Sequence, residues 1–462
     1  MRSAYEVFDP ATREIVGHAP DASPADVDAV VRRADAARRH WGSLTSGDRR
    51  AALRACAAAV RQAEQRLGRI LSLEQGKPLA EAVAEFQVGA GLLEYYAALE
   101  WDDVERLPDR QGRSIEIHHA PVGVVATITP WNFPISLLLV KLAPALLAGC
   151  AVVAKPSEST PLSTMALVEL LADFLPADVV QCVTGRGKDV NVALSEHSGV
   201  RKLSFTGSTG VGTAIAAQAA ATVKRLTLEL GGNDPAIVLD DADVAVAAAG
   251  IVGSAFRNAG QVCMAVKRVY VPAALEPALV EAVAAAVQRH VLGHGVDPGT
   301  TMGPMHTEAQ RAKVLDLVAR AQRDGARVVS GGVPACGLPG WFLAPTVVSG
   351  AKPGMDLVDE EQFGNALPVV AYSDLESLVE SLNTEAYGLG ASVWSPDLDR
   401  ARAVAGTLEV GTVWINQHTV VEPDAPFGGW KSSGLGRERG RWGLDEYLEP
   451  RTVNVRSHTV IR

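Results

Sequence analysis

Cys263 and Glu229 are the two side chains whose types and surroundings most directly suggest covalent chemistry. Cys263 ends the run Gly260-Gln261-Val262-Cys263, where small neighbours leave a thiol open to an electrophilic carbon. Glu229 opens Glu229-Leu230-Gly231-Gly232 and supplies a carboxylate able to act as a base for water. A buried, inert thiol is the general default, and Cys56, Cys150, Cys182 and Cys336 are read that way. Thr129-Pro130-Trp131-Asn132-Phe133-Pro134 follows the β-branched run VGVVATIT, so two prolines fix the backbone at the carboxyl end of a strand. The Asn132 amide could donate to an oxyanion held there, or it could simply satisfy a turn.

Two further stretches suggest phosphate and sugar. Lys155-Pro156-Ser157-Glu158 also follows a strand pattern, and its acid could accept from a ribose diol, the alternative being a solvated turn. Phe205-Thr206-Gly207-Ser208-Thr209-Gly210 joins the strand run RKLSF to a helix, where free N–H groups suit a phosphate. No GxGxxG occurs, and Gly185-Arg186-Gly187 lacks a third glycine, so neither site alone indicates a dinucleotide.

The elements that would hold these residues can be read from periodicity. Two short strands and then helices are expected up to about Leu99, with Ser23-Pro24-Ala25-Asp26 starting the first helix. RSIEIHH, from Arg113 to His119, alternates like a half-exposed strand. From Pro121 onward, short β-branched runs alternate with Ala- and Leu-rich helical stretches, the pattern of a parallel sheet covered on both faces. A second α/β region begins near Asp234, with helices expected over Glu276–His290 and Thr307–Ala326. The tail TVNVRSHTVI alternates like an edge strand that pairs with RSIEIHH or with another subunit. Ile135 to Ala154 is apolar enough to suggest a membrane span, but Lys141, Pro144 and Gly149 make it a buried helix followed by a buried strand.

Composition narrows the class. Of the 462 residues 47% are hydrophobic and 21% charged, an ordinary globular balance for two or three domains. A formal net charge of −10 argues against nucleic-acid and anionic-membrane partners. The 5 cysteines include no CxxC pair, so neither a disulfide framework nor a metal site is expected. Free thiols and an N-terminus without an apolar stretch lead to the expectation of a cytoplasmic protein.

TPWNFP, KPSE, FTGST, ELGG, GQVC, EEQFG, NTEAYGL and PFGGWKSSGLGRERG stand in the order found in the aldehyde dehydrogenase superfamily, which the chain resembles from VFDPATRE to YLEPRTV. The resemblance implies an α/β fold with a Rossmann-like cofactor domain (1–102 and 122–231), an α/β catalytic domain (232–430) and a β-arm for oligomerisation (103–121 and 431–462). It implies that Cys263 is the nucleophile, Asn132 and the Cys263 N–H hold the oxyanion, Glu229 activates water, and Lys141 and Glu438 relay the proton. Ile128, Trp131, Lys155, Glu158, Gly187, Gly207, Ser208, Glu361 and Phe363 are implied cofactor contacts. Phe133, Arg257 and Phe427 are implied substrate contacts, and Gln417 to Asp424 the substrate mouth. No metal is implied.

The implied reaction is NAD(P)-dependent oxidation of a small-molecule aldehyde to its carboxylic acid, through a thiohemiacetal and a thioester on Cys263. Retention of Glu229 speaks against acyl transfer to coenzyme A, and retention of all three catalytic groups against a non-catalytic binding protein. Glu158 would repel a 2′-phosphate, favouring NAD while leaving NADP open. Arg257 stands where a succinate-semialdehyde dehydrogenase carries an arginine for the substrate carboxylate, but Val140 takes the place of the second arginine of that clamp. An aldehyde of unspecified class is therefore the main reading, with a succinate-semialdehyde type as the alternative. A homodimer or homotetramer is expected. The resemblance leads one to expect a lysine–serine pair after ELGG, where Asn233 and Asp234 stand, and a proline where Asn365 stands.

Overall fold

The computed structural model describes residues 3–108 and 113–456. The first helices form where their caps predict. The Ser23 hydroxyl accepts from the Asp26 N–H, and the Asp26 carboxylate accepts from the Ser23 N–H, starting Pro24–Ser43. Thr45 and Asp48 repeat this box for Ser46–Gln75, which stops at Gly76 with φ +99°. Leu79–Ala98 follows, preceded by the strand pair Ala4–Phe8 and Ile15–Pro20.

A six-stranded sheet runs Gly434–Leu435, Arg225–Glu229, Val200–Thr206, Val124–Ile128, Ala151–Lys155, Val180–Cys182 among the described residues. All its strands are parallel except the first. Val124–Ile128 and Ala151–Lys155 are buried along their whole length because helices cover both faces. One core gathers Trp41, Phe86 and Leu139 on one side, and another gathers Val27, Leu203 and Phe205 on the other. The apolar stretch is the helix Pro134–Ala148, ended by left-handed Gly149, and then the strand Ala151–Lys155. No helix of the described residues is long and apolar enough to cross a membrane.

A seven-stranded sheet runs Arg327–Ser330, Thr346–Ala351, Ala366–Tyr372, Arg268–Pro272, Pro235–Val238, Gly390–Trp394, Thr412–Ile415. Only Arg327–Ser330 is antiparallel to its neighbour. The helices Glu276–Val287 and Glu308–Arg323 lie within the expected spans.

Val104–Leu107, Arg113–Pro121 and Leu448–Arg456 form a separate antiparallel sheet, with Leu448 opposite Pro121 and Arg456 opposite Arg113. The tail strand therefore pairs with RSIEIHH within one chain; the end of its expected run, from residue 457, lies outside the described residues. The segment expected as one arm from 431 divides in two. Gly434–Leu435 returns to the six-stranded sheet, where Gly434 pairs with Glu229, and only the residues after the helix Gly440–Asp445 join the arm.

The expectation of four buried cysteines besides Cys263 needs correction. Cys56 and Cys150 are buried, Cys182 is half-buried and Cys336 is exposed. Cys336 lies in the connection between Arg327–Ser330 and Thr346–Ala351, and a connection at a sheet edge runs over the surface.

Packing inside the seven-stranded region is close. A Cβ at Gly250, in the helix Val244–Ala255, would lie 2.2 Å from the buried Trp394 ring, whose Nε1 donates to Ser392 Oγ at 3.0 Å. Gly250→Ala is expected to destabilise by ~1–3 kcal/mol through overpacking, despite the better helix propensity of alanine. A urea midpoint equal to that of the parent would contradict this.

Candidate active site

The carboxyl ends of the six-stranded sheet form one wall of the site, where open α/β sheets place ligands. Glu229 is in register with Thr206, Phe205 with Ile128, and Ile128 with Lys155. The other wall is the loop carrying Cys263. After the helix Val244–Ala255 the chain makes a left-handed turn through Asn258 (φ 46°), Ala259 (φ 53°) and Gly260 (φ 73°). Two non-glycine residues in that region cost ~1–2 kcal/mol each, so other contacts must hold them. Asn258 N–H donates to Glu81 Oε2 at 3.2 Å, Gln261 Nε2 to the Asn258 carbonyl at 3.0 Å, and Lys267 Nζ to the Gly260 carbonyl at 3.0 Å. Gly260 is required here, because a Cβ would lie 2.3 Å from the Gly364 carbonyl oxygen.

Asn132 joins the two walls. Its carbonyl accepts from Lys77 Nζ at 2.7 Å and from Asn258 Nδ2 at 3.2 Å, and its own Nδ2 donates to the Gln261 carbonyl at 2.9 Å. Lys77 also donates to Glu85 at 2.6 Å, with both side chains at most 1% exposed. Glu85 in turn accepts from the N–H groups of Ile135 and Ser136, orphan donors at the start of the helix Pro134–Ala148.

Cys263, half-buried, opens onto a cavity of about 270 Å³ that Trp131, Asn132, Gly207, Ser208, Glu361 and Phe363 also line. Seven of the residues expected from sequence thus meet at one opening. Burial pushes the Cys263 thiol up to about 12, with Glu361, Glu229 and Asp234 adding to it and Lys267 opposing. Glu229 is buried with Oε1 unpartnered and does not itself line the cavity, though Leu230 and Gly231 next to it do; burial followed by the Glu438 charge holds its carboxyl well above the usual range. Lys141 and Glu438 form a buried ion pair, and the Glu438 backbone bonds with Phe427 in both directions.

The cavity carries polar groups that the protein leaves unsatisfied. Thr206 Oγ1, Thr209 Oγ1 and Glu361 Oε1 are buried without a partner. Ser208 caps the helix Thr209–Ala220 without engaging its hydroxyl, so hydroxyl and helix N-terminus together suit a phosphate. Burial raises the Glu361 carboxyl to about 7, with Lys267 acting against the shift. Away from the cavity, the exposed Glu158 accepts from the Gly187 N–H at 2.6 Å, and Lys155 is buried with its ammonium pushed down by desolvation. Phe133 and Arg257 lie on another side, the guanidinium 5.5 Å from the ring centroid, with Lys77 Nζ 3.8 Å from the same centroid.

Sequence reading missed Lys77, Glu85, Gln261 and Lys267. Gln261 and Lys267 sit beside a motif already singled out, and proximity to Cys263 could have flagged them. Lys77 and Glu85 look like the end and start of ordinary helices, and only the tertiary contact reveals them. Asn233 and Asn365, the departures, donate to the carbonyls of Val358 at 2.9 Å and Leu343 at 2.8 Å, so both serve as buried braces. Lys77→Met should destabilise the fold by about 3–5 kcal/mol, since it strands the Glu85 carboxylate, and should lower kcat by loosening Asn132. Lys77→Met/Glu85→Leu should recover much of the stability and less of the rate. Equal recovery of both in denaturation and turnover assays would show that Asn132 does not depend on the pair.

With this geometry in place, comparison with known proteins is decisive at the level of family. Residues 1–453 match the family model described as the aldehyde dehydrogenase family. A 3-sulfolactaldehyde dehydrogenase of Pseudomonas putida is 39% identical over 97% of this chain and 93% of its own length. An NADP-linked succinate-semialdehyde dehydrogenase of Escherichia coli K12 is 39% identical over 96% and 93%. The crystal structure of betaine aldehyde dehydrogenase from Staphylococcus aureus in complex with NAD+ superposes with a TM-score of 0.95 at 33% identity, covering 99% of this chain and 93% of that one. The chain belongs to the aldehyde dehydrogenase family.

Proposed function

We propose that this protein oxidises an aldehyde to its carboxylic acid with NAD, through covalent intermediates on Cys263. The observation that carries the reading is the opening of the Cys263 thiol and Asn132 onto one cavity whose far wall is Gly207, Ser208, Glu361 and Phe363. A bound nicotinamide dinucleotide supplies the hydride acceptor; Ser208 and the adjacent helix N-terminus would hold its pyrophosphate, Glu361 its nicotinamide ribose, and Lys155 and Glu158 its adenosine ribose. The Cys263 sulfur attacks the aldehyde carbon, and the second hydrogen of the Asn132 amide and the Cys263 N–H receive the oxyanion. Loss of hydride leaves a thioester on the sulfur. Glu229 takes a proton from water, the resulting hydroxide attacks the thioester carbon, and the acid departs as the thiol reforms. The Lys141–Glu438 pair, behind Glu229, gives that proton a route onward.

Because the thiol is pushed up, it is protonated near neutrality and must transfer its proton as it attacks. Glu229 must be ionised to accept a proton from thiol or water, and burial raises the pH at which it ionises. The rate should therefore rise with pH, with the acid limb above the usual carboxylate range. Glu229→Gln should still release one equivalent of NADH per site in a burst but stall in forming acid, and Cys263→Ala should release none. A Glu229→Gln enzyme with full steady-state turnover would remove Glu229 from the role of base.

A second reading narrows the substrate to an aldehyde with a distal carboxylate or sulfonate. Arg257 favours it, and the named substrates of two relatives are such anions. Burial raises the Glu81 carboxyl, and Lys77 and Arg257 act against that shift, so an acidic group of the protein already stands near the arginine. Under this reading Arg257→Ala raises KM at least tenfold for succinate semialdehyde and leaves a neutral aldehyde of equal length unchanged; equal effects on both return the substrate to the broader class. Glu158 supports NAD over NADP by repulsion of a 2′-phosphate. A lower KM for NADP, measured with one aldehyde, would reverse that preference. The antiparallel arm is proposed to join subunits into a homodimer or homotetramer, and five unpaired cysteines fit a cytoplasmic setting.

A further inference from the structure

We propose that His418 and Asp234 form a buried pair that anchors the segment at the substrate mouth, making both of them positioning residues for the aldehyde. The inference rests on the aldehyde-oxidising reading above. His418 sits in the polar run Gln417 to Asp424, where a histidine would ordinarily face water. Instead its side chain is 0% exposed and stands 3.6 Å from Asp234 Oδ2, on a carboxylate 1% exposed. Neither ring nitrogen has a hydrogen-bond partner, and neither does Asp234 Oδ2. Burying both groups is unfavourable unless each compensates the other.

The backbone is shaped around this contact. Asn416 (φ 54°) and Thr419 (φ 63°) bracket His418 in the left-handed region, which turns the ring inward. Trp414 packs against the ring at a 37° tilt, with centroids 4.5 Å apart, and its Nε1 donates to the Val420 carbonyl at 2.6 Å, closing the segment over the indole. Asn416 Nδ2 donates to the Ser395 carbonyl at 2.7 Å. From there the chain reaches Gly428, where a Cβ would lie 3.0 Å from Glu229 Oε1. The segment therefore spans from the His418 anchor to the catalytic carboxylate.

Asp234 has a place made for it. A Cβ at Gly390 would lie 2.5 Å from Oδ2, and one at Gly232 would lie 2.9 Å from Oδ1 and 3.0 Å from the Cys263 carbonyl oxygen. Oδ1 accepts from the Gly390 N–H at 3.1 Å, and the Asp234 carbonyl accepts from the Lys267 N–H at 2.9 Å. Gly232 thus lies against both the carboxylate and the Cys263 carbonyl. Asp234 is also one of the two residues that depart from the expected ELGG continuation, and a serine in its place carries no charge to pair with a histidine. The aspartate and the inward histidine are two halves of one device.

The test uses the full-length protein with His418→Ala, His418→Gln, Asp234→Ser and the double variant Asp234→Ser/His418→Ala. Each alanine or serine single is expected to raise aldehyde KM at least fivefold while cofactor KM stays within twofold. The double is expected to be no worse than the more affected single, with His418→Gln intermediate. Elastase should cleave after Val420 or Val421 at least tenfold faster in the singles, with no matching increase after the exposed Val223. Unchanged aldehyde KM, additive singles, or unchanged cleavage after Val420 and Val421 would each overturn the proposal. If His418→Ala fails to fold, His418→Gln and Asp234→Ser decide by the same criteria. Should the parent oxidise no aldehyde, the functional reading fails separately, and the protease comparison alone decides the anchor.

Discussion

The Asn132 peptide is where three parts of the chain are tied together. Its carbonyl is held by an ammonium from the N-terminal helices and by an amide from the left-handed turn, and its side chain reaches back to the residue two before Cys263. An oxyanion donor works only if it is already aimed when charge develops. The cost of that aim falls on a lysine and a glutamate with almost no access to water, which persist because each satisfies the other and a helix start as well.

The electrostatics around the sulfur follow from the same enclosure. Glu361, Glu229 and Asp234 surround a thiol in a poorly solvated place, and one lysine, Lys267, opposes them. The resting site therefore favours the protonated, unreactive thiol. In the proposed reaction, reactivity must come from a proton acceptor near the thiol. Glu361 shows the complementary feature: an unpartnered buried oxygen, raised to about 7, waiting for a hydroxyl donor.

Strain and small residues concentrate where the walls meet. Asn258, Ala259 and Phe363 all hold positive φ, and Gly231, Gly232 and Gly260 have neighbours closer than a side chain allows. Such conformations survive only where surrounding bonds over-determine them. Here Gln362 Nε2 donates to the carbonyls of Lys267 and Ala366, linking the Glu361–Phe363 segment to the chain just after Cys263.

Local rules settled much of this protein from the chain alone. Capping boxes at Ser23 and Thr45, alternation in RSIEIHH and β-branched runs bounded by glycine and proline are short-range signals, and each produced its element. The Cys263, Glu229 and Asn132 motifs were given their roles by resemblance to the family, and the structure brings Cys263 and Asn132 to one cavity. Folding decided what no window of residues contains. Lys77 meets Asn132 across 55 positions and Glu85 meets Ile135 across 50, and His418 meets Asp234 across a still longer interval. The segment after Lys431 first rejoins the six-stranded sheet and only later the antiparallel sheet of Arg113–Pro121, and Cys336 proved exposed where burial was expected. Ion pairs of this kind form only after two sheets have packed, since the low-dielectric surroundings that make a lone charge intolerable, and so force it to find a partner, do not exist in the extended chain.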